Sequence, residues 1–327
     1  MNKLPQHKKI FTIIATYNGE NWIKPCLESL IKSKYPSEVV IVDNSSTDNT
    51  LRILENYSNL HVIKGNKNFG FGIANNIGIS HAMKAGADYL FLLNQDAFIN
   101  EQSIQNLVNA AEIDKSYGLY SPIHLNESGD DFDRNFLKNY IIDSAPQYLS
   151  DLCIKGEAKQ IYPIYAVNAA AWFIPRNTFE IVGGFDPIFF MYGEDNDFSN
   201  RLEYHGIKRA IVTNSFVNHS RGKSPPKNPS FISLIASRAK RIRSNTLAKI
   251  KNPNKKLPTN TLSCFVNLLF SAINELIYYL RFREFLSHIL AIIYLAFEMK
   301  NIVNHRKICM NTKSPWLNQQ TDYDKIK

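Results

Sequence analysis

The sequence predicts an α/β protein in which a mainly parallel sheet carries helices on its faces and a helical region follows. Three observations predict this architecture. From residue 9 to about residue 114, short β-rich runs alternate with segments of helical period, which is typical of a parallel sheet with crossover helices. Polar residues follow each β-rich run. Beyond about residue 260, apolar residues recur at the spacing of amphipathic helices.

The N-terminal part supplies four strands and three helices. β-Branched and aromatic residues predict strands at residues 9–15, 38–43, 60–64 and 89–94. Apolar residues at helical spacing predict helices at residues 22–33, 48–57 and 73–85. Ligands bind at the carboxyl edge of an open parallel sheet, so the polar residues that follow the strands should converge on one crevice. These residues are Thr16, Asp43, Asn68 and Asp96.

The pattern weakens after this sheet. Residues 118–162 are irregular and polar, and they predict no element. Order returns with a strand at residues 164–175 and a helix at residues 198–204. We therefore divide the chain into a first domain of residues 1–224 and a basic, amphipathic, helical region of residues 225–327.

Positive charge is concentrated in one segment. The formal net charge is +9, from 38 Lys and Arg against 29 Asp and Glu. Residues 238–256 contain cations and no acid, which indicates a local anionic partner rather than a uniformly basic surface. The cations are Arg238, Lys240, Arg241, Arg243, Lys249, Lys251, Lys255 and Lys256.

The cysteines and the N-terminus indicate a cytosolic compartment. The 4 cysteines lie far apart, without the close pairs that zinc or redox chemistry requires, so a reducing environment fits best. The apolar run at residues 10–15 is shorter than a signal-peptide core and leads into a polar turn. We interpret it as the first strand.

Two apolar segments near the C-terminus predict helices beside a membrane. One spans residues 262–280 and is amphipathic, and the other, at residues 285–297, falls short of the roughly 20 residues that span a bilayer. Neither is typical of a transmembrane helix. With the basic segment before them, they are expected to lie in the interface, with cations on phosphate headgroups. The alternative is a helical hairpin packed on the first domain, and amphipathic period alone does not separate the two.

Two motifs predict ligand contacts at the sheet edge. Asp43, which precedes an Asn-Ser turn, can accept from a base or a ribose hydroxyl, although such an Asp is often only a turn former. The loop at residues 66–78 is rich in Gly and Asn, which lets backbone approach a ligand closely. A dinucleotide fingerprint would require glycine where Asn75 stands, so that class of site is excluded.

Carboxylates occur in two further motifs. Asn94 and Asp96 share one face of a strand end, where their oxygens suit a hard cation such as magnesium, although an isolated acid often ends a strand. Glu194, Asp195 and Asp197 follow an aromatic run. Like charges raise one another's pKa, which suits a general base or a metal neighbourhood. Helix-dipole stabilisation accounts for one or two of these acids but not readily for all.

Together these motifs resemble the family 2 inverting glycosyltransferases of the GT-A fold, in particular the rhamnosyltransferase-like branch of bacterial surface polysaccharide assembly. The resemblance covers about residues 9–224, which would make this the catalytic domain. The five motifs recur in order at residues 16–18, 42–46, 68–78, 93–96 and 183–197.

The resemblance implies a role for each motif. The donor nucleotide would be held by Thr16, Tyr17, Asn18, Asp43, Asn44, Asn68, Gly70, Asn75, Asn94 and Gln95. Asp96 and His219 would approach a Mg²⁺ or Mn²⁺ ion. The acceptor would contact Trp172, Asp186 and Asp197. Asp195 matches the catalytic base, with Glu194 beside it. The metal motif begins with Asn94, and Gln95 stands where the branch often has Pro. These departures favour weaker binding of the cation or binding chiefly through Asp96.

The implied reaction is inverting transfer of a sugar, rhamnose or a related hexose, in surface polysaccharide or O-antigen assembly. The donor would be dTDP-rhamnose or a UDP-hexose, and the acceptor a saccharide or lipid-linked saccharide. The expected location is the cytoplasmic, inner face of the cell membrane, with the enzyme bound peripherally to its anionic surface.

Three other functions are less consistent with these motifs. A sugar-nucleotide pyrophosphorylase would need a glycine- and arginine-rich N-terminal loop, which is missing from the sequence. A nucleic-acid site would need an aromatic platform or a recognised module beside the basic segment, so no nucleic acid is expected. A catalytically silent binding protein that keeps the fold remains the alternative, although Asp96 and Asp195 speak against it.

Overall fold

A single mixed sheet organises the computed structural model, which describes residues 7–221, 229–311 and 313–317. Its nine strands are β1 (Ile10–Thr16), β2 (Glu38–Asp43), β3 (Leu60–Lys64), β4 (Tyr89–Leu93), β5 (Ala97–Ile99), β6 (Tyr117–Leu125), β7 (Ile161–Ile164), β8 (Ala171–Pro175) and β9 (Lys208–His219). Their order is β3-β2-β1-β4-β8-β6-β9-β5, and β7 pairs with β9. The first four are parallel, whereas β8 is antiparallel to β4.

Helices cover the sheet and form the C-terminal region. In the part of the chain that carries the sheet they are α1 (Ile23–Ile31), α2 (Thr50–Leu54), α3 (Phe71–Lys84), α4 (Ser103–Ile113), α5 (Arg134–Phe136), α6 (Pro146–Ser150), α7 (Arg176–Val182) and α8 (Glu194–Tyr204). Two π-helical turns, Leu137–Ile142 and Asp151–Lys155, accompany α5 and α6. The C-terminal helices are α9 (Phe231–Lys251), α10 (Leu257–Ile277) and α11 (Phe282–Asn311).

The sheet buries both of its faces. Along β4, Leu90 and Leu92 pack in one core with α3, whereas Phe91 and Leu93 pack in a second core with α1 and α4. Burial on both faces explains why the central parallel strands are continuous apolar runs rather than alternating ones. The parallel register pairs Thr16 with Asp43, so the carboxyl ends of β1 and β2 lie side by side.

The predicted N-terminal elements are present. β2 and β3 have the predicted bounds, β1 is shifted by one residue, β4 ends one residue earlier than predicted, and the three helices differ mainly in where they begin and end. The region from residue 118 differs, because β6 and several helical turns lie where no element was predicted. Pro122 lies inside β6, and the pairing register with β9 shifts just after it. A proline inside a run argues against a strand in sequence, which is why the pattern failed here.

The strand predicted at residues 164–175 is also wrong in its extent. β7 ends at Ile164 and β8 begins at Ala171, so two strands on different neighbours replace the single one. The helix predicted at residues 198–204 begins earlier, at Glu194, which places all three acids in its first turn.

The C-terminal helices pack on the part of the chain that carries the sheet. Leu247 and Ile250 of α9 share a core with Leu268 of α10, Leu295 of α11 and Phe189, which precedes α8. The residues after α11 return to the first core, where Leu317 is buried. The proposed boundary at residue 224 lies outside the described residues, and the helices that follow it share a core with the part of the chain that precedes it.

The lengths of α10 and α11 correct the sequence interpretation. α11 has 30 residues, because the polar residues that flank the apolar run at 285–297 are helical too. By length and composition, both helices are long and apolar enough to cross a membrane, with 17% and 28% of the apolar stretch buried. This is weak support for a membrane location, since core helices of soluble proteins have the same properties.

Candidate active site

The ends of β1, β2 and β4 form one edge, as predicted. Thr16 Oγ1 donates to Gln95 Oε1 at 2.5 Å, and the amide of Tyr17 donates to the same oxygen at 3.0 Å. Gln95 therefore ties the loop after β1 to the loop after β4. The Tyr17 ring is 43% exposed and is free to contact a ligand at this edge.

Asp43 and Asn18 hold the loops that border the crevice. Asp43 is 1% exposed, and its carboxylate accepts from the amide of Ser46 at 3.1 Å and from Ser46 Oγ at 2.5 Å. Asn18 Oδ1 accepts from the amide of Thr47 at 2.8 Å. Asp43 therefore forms the turn after β2, which was one of its two expected roles. Its contact with a nucleoside remains a prediction.

Asn44 and Asn68 shape the glycine-bearing loop. Asn44 is buried and donates from Nδ2 to the carbonyl of Gly70 at 3.1 Å, while Asn68 Oδ1 accepts from the Gly70 amide at 2.8 Å. Gly70 has φ +83°, and a Cβ there would lie 2.0 Å from the Phe190 carbonyl oxygen. Only glycine can occupy this position, because the backbone of the loop at residues 66–70 contacts the backbone of Phe190, which precedes the acids of α8.

Asn75 corrects one predicted donor contact. Its side chain is 2% exposed and donates to the carbonyl of Phe71 at 3.0 Å, so it points into α3 and not into the crevice. Its neighbour Asn76 was missed. Asn76 exchanges two hydrogen bonds of 2.7 Å with the backbone of Phe185 and so links α3 to the acidic segment. The dense run of Asn in the sequence was the available signal.

Asp96 and His219 lie together, as the resemblance implied. His219 Nε2 is 3.6 Å from Asp96 Oδ1, and these residues follow β4 and end β9. His219 Nδ1 is 3.7 Å from Asp133 Oδ2 and is buried without a hydrogen-bond partner in the described part of the chain. Asn94, which is partly exposed, forms a backbone hydrogen bond to Ala170 at 2.9 Å.

Asp133 and Arg221 are further members of this group that sequence analysis missed. Arg221 Nη2 donates to Asp133 Oδ1 at 2.8 Å. Burial acts to raise the pKa of Asp133, but the hydrogen bonds from Arg221 and from the Phe136 amide outweigh it and hold the pKa below its usual range. These residues line a cavity of about 900 Å³ that also contains Trp22 and His219. Nothing in the sequence pattern joined residue 133 to residue 221.

These side chains fit a hard cation that takes most of its ligands elsewhere. Among residues 7–221, 229–311 and 313–317, no three His, Cys, Asp or Glu side chains form a metal cluster. Asp96 supplies one carboxylate, and His219 Nε2 lies 3.6 Å from its Oδ1. Magnesium commonly uses one or two carboxylates and completes its octahedron with waters and phosphate oxygens, so this donor set is sufficient for a cation bound with a diphosphate.

Asp195 lies in the first turn of α8 and is partly exposed. Its Oδ1 accepts from the amide of Asn196 at 2.8 Å. Burial raises the pKa of Asp195. Hydrogen bonds from the backbone amides of Asp195 and Asn196 act to lower it but do not outweigh burial. A carboxylate of raised basicity that can still be reached from outside is suited to accept a proton from a ligand.

Glu194, beside it, is almost fully buried. It is 8% exposed, and its Oε2 has no hydrogen-bond partner within the described residues. Burial, followed by the negative charge of Asp195, raises the pKa of Glu194 to about 8. At neutral pH this carboxyl is therefore mostly protonated, and Asp195 ionises next to a neutral neighbour.

Three predicted acceptor contacts are corrected by burial. Trp172 is 0% exposed and packs against Phe185 and Phe198, so its indole offers no face to a sugar. Asp186 and Asp197 are equally buried, and Lys251 Nζ lies 2.7 Å from an oxygen of each. Both faces of β8 are buried, so Trp172 lies in the core, and Lys251 of α9 neutralises both acids.

Comparisons with known proteins agree with this arrangement. The model of the family described as glycosyl transferase family 2 matches residues 12–164. The rhamnosyltransferase WbbL of Escherichia coli strain K12 is 27% identical over 219 residues, which are 62% of this chain and 80% of that protein. The N-acetylglucosaminyl-diphospho-decaprenol L-rhamnosyltransferase of Mycobacterium tuberculosis strain CDC 1551 is 25% identical over 238 residues, with 66% and 78% covered.

A solved structure supports the fold. GalNAc-T7 with UDP, GalNAc and Mn²⁺ superposes with a TM-score of 0.61 at 17% identity, covering 98% of this chain and 58% of that one. At this identity the likeness concerns the fold alone, and it confirms the predicted GT-A architecture.

Proposed function

The chain belongs to glycosyl transferase family 2, and from its site we propose that it transfers rhamnose or a related hexose, with inversion, from a nucleoside-diphosphate donor to an acceptor hydroxyl in surface polysaccharide assembly. The observation that carries the proposal is the contact between the two halves of the site. The Phe71 amide donates to the Phe190 carbonyl at 3.2 Å, so the donor loop abuts the segment that leads to Asp195. The named relatives are enzymes, which does not favour the catalytically silent alternative.

In this proposal the donor nucleotide occupies the edge formed by β1, β2 and β4. The exposed ring of Tyr17 stacks on the base, and the loops fixed by Asp43 and Asn44 enclose it. dTDP-rhamnose is the first candidate donor because both relatives described above are rhamnosyltransferases, and UDP-hexoses are the second.

Asp96 and His219 would hold a Mg²⁺ or Mn²⁺ ion against the donor diphosphate. When bound, such an ion neutralises the charge that develops on the departing diphosphate. Asn94 lies two residues before Asp96 and just beyond the end of β4, and its amide oxygen is the nearest further candidate ligand by sequence. His219 Nδ1 lies 3.7 Å from Asp133 Oδ2, so a carboxylate also lies near the ring nitrogen that faces away from the proposed ion.

Asp195 would act as the general base. It takes the proton from the acceptor hydroxyl while that oxygen attacks the anomeric carbon on the face opposite the diphosphate, whose bond to the sugar breaks. The raised pKa of Asp195 increases its strength as a base, and the protonated Glu194 leaves it as the charged member of the pair. Glu194 therefore tunes the environment of the base from inside the protein.

Replacing Asp195 with Asn tests this assignment. The expected result is a loss of transfer of about 10²-fold to 10⁴-fold, because the amide accepts no proton. Donor affinity should be unchanged, since Asp195 lies on the acceptor side. The assay compares transfer rates and donor calorimetry for Asp195→Asn and for Asn196→Asp, an exposed neighbour. Transfer retained by Asp195→Asn would exclude it as the base.

The C-terminal region is proposed to hold the enzyme on the inner face of the membrane. The outward face of α10 exposes Leu262, Val266, Leu269, Phe270, Ile273 and Ile277. All of these except Phe270 belong to the apolar face expected from the sequence, whereas α10 packs on its neighbours through Cys264, Leu268 and Ala272. An amphipathic helix with this exposed face suits the boundary between headgroups and acyl chains.

The basic segment contributes fewer cations to this surface than the sequence predicted. Arg238 pairs with Glu284, Arg243 pairs with Glu298, and Lys251 is buried between Asp186 and Asp197. Lys249, Lys255 and Lys256 remain exposed near the start of α10 and are the cations proposed to meet anionic headgroups.

Sedimentation with anionic phospholipid vesicles tests the membrane proposal. Phe270→Glu places a charge on the exposed face of α10, so vesicle binding should fall about tenfold or more. Ile113→Glu, a similarly exposed apolar residue on α4, is the matched control and should bind as the wild type does. Equal binding by all three proteins would refute the membrane surface.

A further inference from the structure

Three consecutive large side chains are exposed at the entrance to the site. Phe190, Met191 and Tyr192 are 55%, 44% and 49% exposed, and they lie between the donor loop at Gly70 and the proposed base Asp195. Their neighbour Phe189 is fully buried in the core shared with α9 and α11. The chain thus turns three apolar side chains outward immediately beside a buried one, at the position where the acceptor must approach.

This segment is fixed at both ends. Its first end is held by the hydrogen bond from the Phe71 amide to the Phe190 carbonyl. At its second end, Gly193 has φ +87°, and a Cβ there would lie 2.6 Å from the Ser244 carbonyl oxygen on α9. Tyr192 itself has φ +68°, a conformation that is costly for an aromatic residue. The exposed orientation of its ring is therefore imposed by the surrounding structure.

Arg241 of α9 lies over the Tyr192 ring, with its guanidinium carbon 5.1 Å from the ring centroid. Arg238 and Arg243, on the same helix, pair with Glu284 and Glu298. Arg241 has no such acidic partner among the residues that the structure describes. An arginine that lies over an aromatic ring and has no acidic partner keeps N–H donors available, and a guanidinium can bind a phosphate in bidentate geometry.

We propose that Arg241 and Tyr192 form a binding site for a phosphate of the acceptor, so that the acceptor is a sugar linked through phosphate to a lipid. The inference rests on the proposed function and specifies its acceptor. Arg241 binds the phosphate, and the exposed Phe190 and Met191 contact the first apolar carbons of the lipid. The sugar then lies towards Asp195, three residues beyond Tyr192.

The proposed acceptor-phosphate site lies apart from the sites proposed for the donor diphosphate and for membrane headgroups. The donor diphosphate is assigned to the edge at Asp96 and His219, which follow β4 and end β9. Membrane headgroups are assigned to the exposed lysines near α10. Arg241 instead lies on the ring of a residue that is part of the loop leading to the base. An anion held there is next to the acceptor hydroxyl rather than next to the leaving group.

Farnesyl diphosphate and farnesol are a matched pair of probes, because they differ only in the phosphates. Both are titrated by calorimetry into the full chain, with the donor edge saturated by nucleoside diphosphate and magnesium. The wild type should bind the diphosphate more tightly than the alcohol, by about tenfold to a hundredfold. Arg241→Met should remove most of this difference, and Arg241→Lys should restore only part of it because the bidentate edge is lost.

Two controls separate the site from general charge and from the membrane. Lys240→Met removes the exposed cation next in sequence and should leave the preference for the diphosphate unchanged. Vesicle binding by Arg241→Met should equal that of the wild type. An equal affinity of the wild type for both probes, or a preference that survives Arg241→Met, would overturn the inference. If Arg241→Met bound vesicles less well, in proportion to its lost preference for the diphosphate, Arg241 would be assigned to membrane headgroups. That result would also overturn the inference.

The donor titration keeps this outcome distinct from failure of the proposed function. If the nucleotide binds and the diphosphate preference does not depend on Arg241, only the acceptor site is wrong. If no nucleotide binds to the wild type, the transferase proposal itself fails.

Discussion

Lys251 Nζ lies 2.7 Å from Asp197 Oδ1, and both side chains are fully buried. The same ammonium is 2.7 Å from Asp186 Oδ2, so one cation of α9 neutralises two acids of the catalytic domain. Asp197 also accepts from Arg201 Nε at 2.9 Å. Since Asp197 is two residues beyond Asp195, the C-terminal helices fix the turn of α8 that carries the proposed base.

Replacing Lys251 with Met should destabilise the protein strongly. Burial acts to raise the pKa of Asp186, but Lys251 and His305 outweigh it and hold that pKa at about 2. Without the ammonium, two buried acids lose their shared partner, and the expected loss of unfolding free energy is about 3–5 kcal/mol. Urea denaturation measures it. Lys249→Met, at an exposed position of the same helix, should change stability by less than about 0.5 kcal/mol. Similar losses in both variants would contradict a structural role for the buried pair.

Glu194 should make stability fall as the pH rises. Its pKa is about 8 in the folded protein against an ordinary 4.5, so between these values the folded state keeps a proton that the unfolded chain releases. The stabilisation is complete below pH 4.5 and is lost as the pH approaches 8. Each unit of pKa difference is worth about 1.4 kcal/mol, so the loss should reach a few kcal/mol.

Glu194→Gln isolates this effect, because the amide is neutral throughout. The unfolding free energy, measured in urea at about pH 5 and about pH 8, should fall less steeply in the variant than in the wild type. Glu203→Gln, on the exposed face of the same helix, serves as the control. Parallel pH profiles for wild type and Glu194→Gln would show that the buried carboxyl does not hold a proton.

Gly70→Ala should weaken donor binding as well as stability. The new Cβ would meet the Phe190 carbonyl at 2.0 Å in a backbone of φ +83°. Gly86→Ala is a matched control, since Gly86 has φ +82° but nothing within 4 Å of the added carbon. Backbone strain alone should cost each variant about 1–3 kcal/mol. A lower donor affinity is expected for Gly70→Ala only. Equal effects of the two variants on calorimetric donor affinity would remove Gly70 from the donor site.

The first part of the fold was predictable because its signal is local. The central parallel strands are buried on both faces and so read as apolar runs, and their topology brings Thr16 and Asp43 to one edge. Sequence gives the residue type at that edge but not the direction of its side chain. Asn75, predicted to face the donor, instead donates to the backbone of its own helix.

The interior of the site could not be predicted, since its contacts are distant in sequence. Lys251 was assigned to a basic surface because neighbouring cations surround it, yet its partner Asp197 is 54 positions away. Asp133 meets Arg221 across 88 positions, and no period or motif connects them. The spacing of the acids predicted a chemically unusual segment but not which acid remains accessible.

A calorimetric titration with dTDP-, UDP- and GDP-sugars tests most directly whether the protein binds a nucleoside-diphosphate sugar together with a metal ion. Each is tested with and without magnesium or manganese, on the wild type and on Asp96→Ala. The proposed function predicts that one nucleotide class binds to the wild type with the metal present, and that its affinity falls when EDTA removes the metal or when Asp96 is replaced. Absence of binding by every nucleotide sugar under every condition would contradict it.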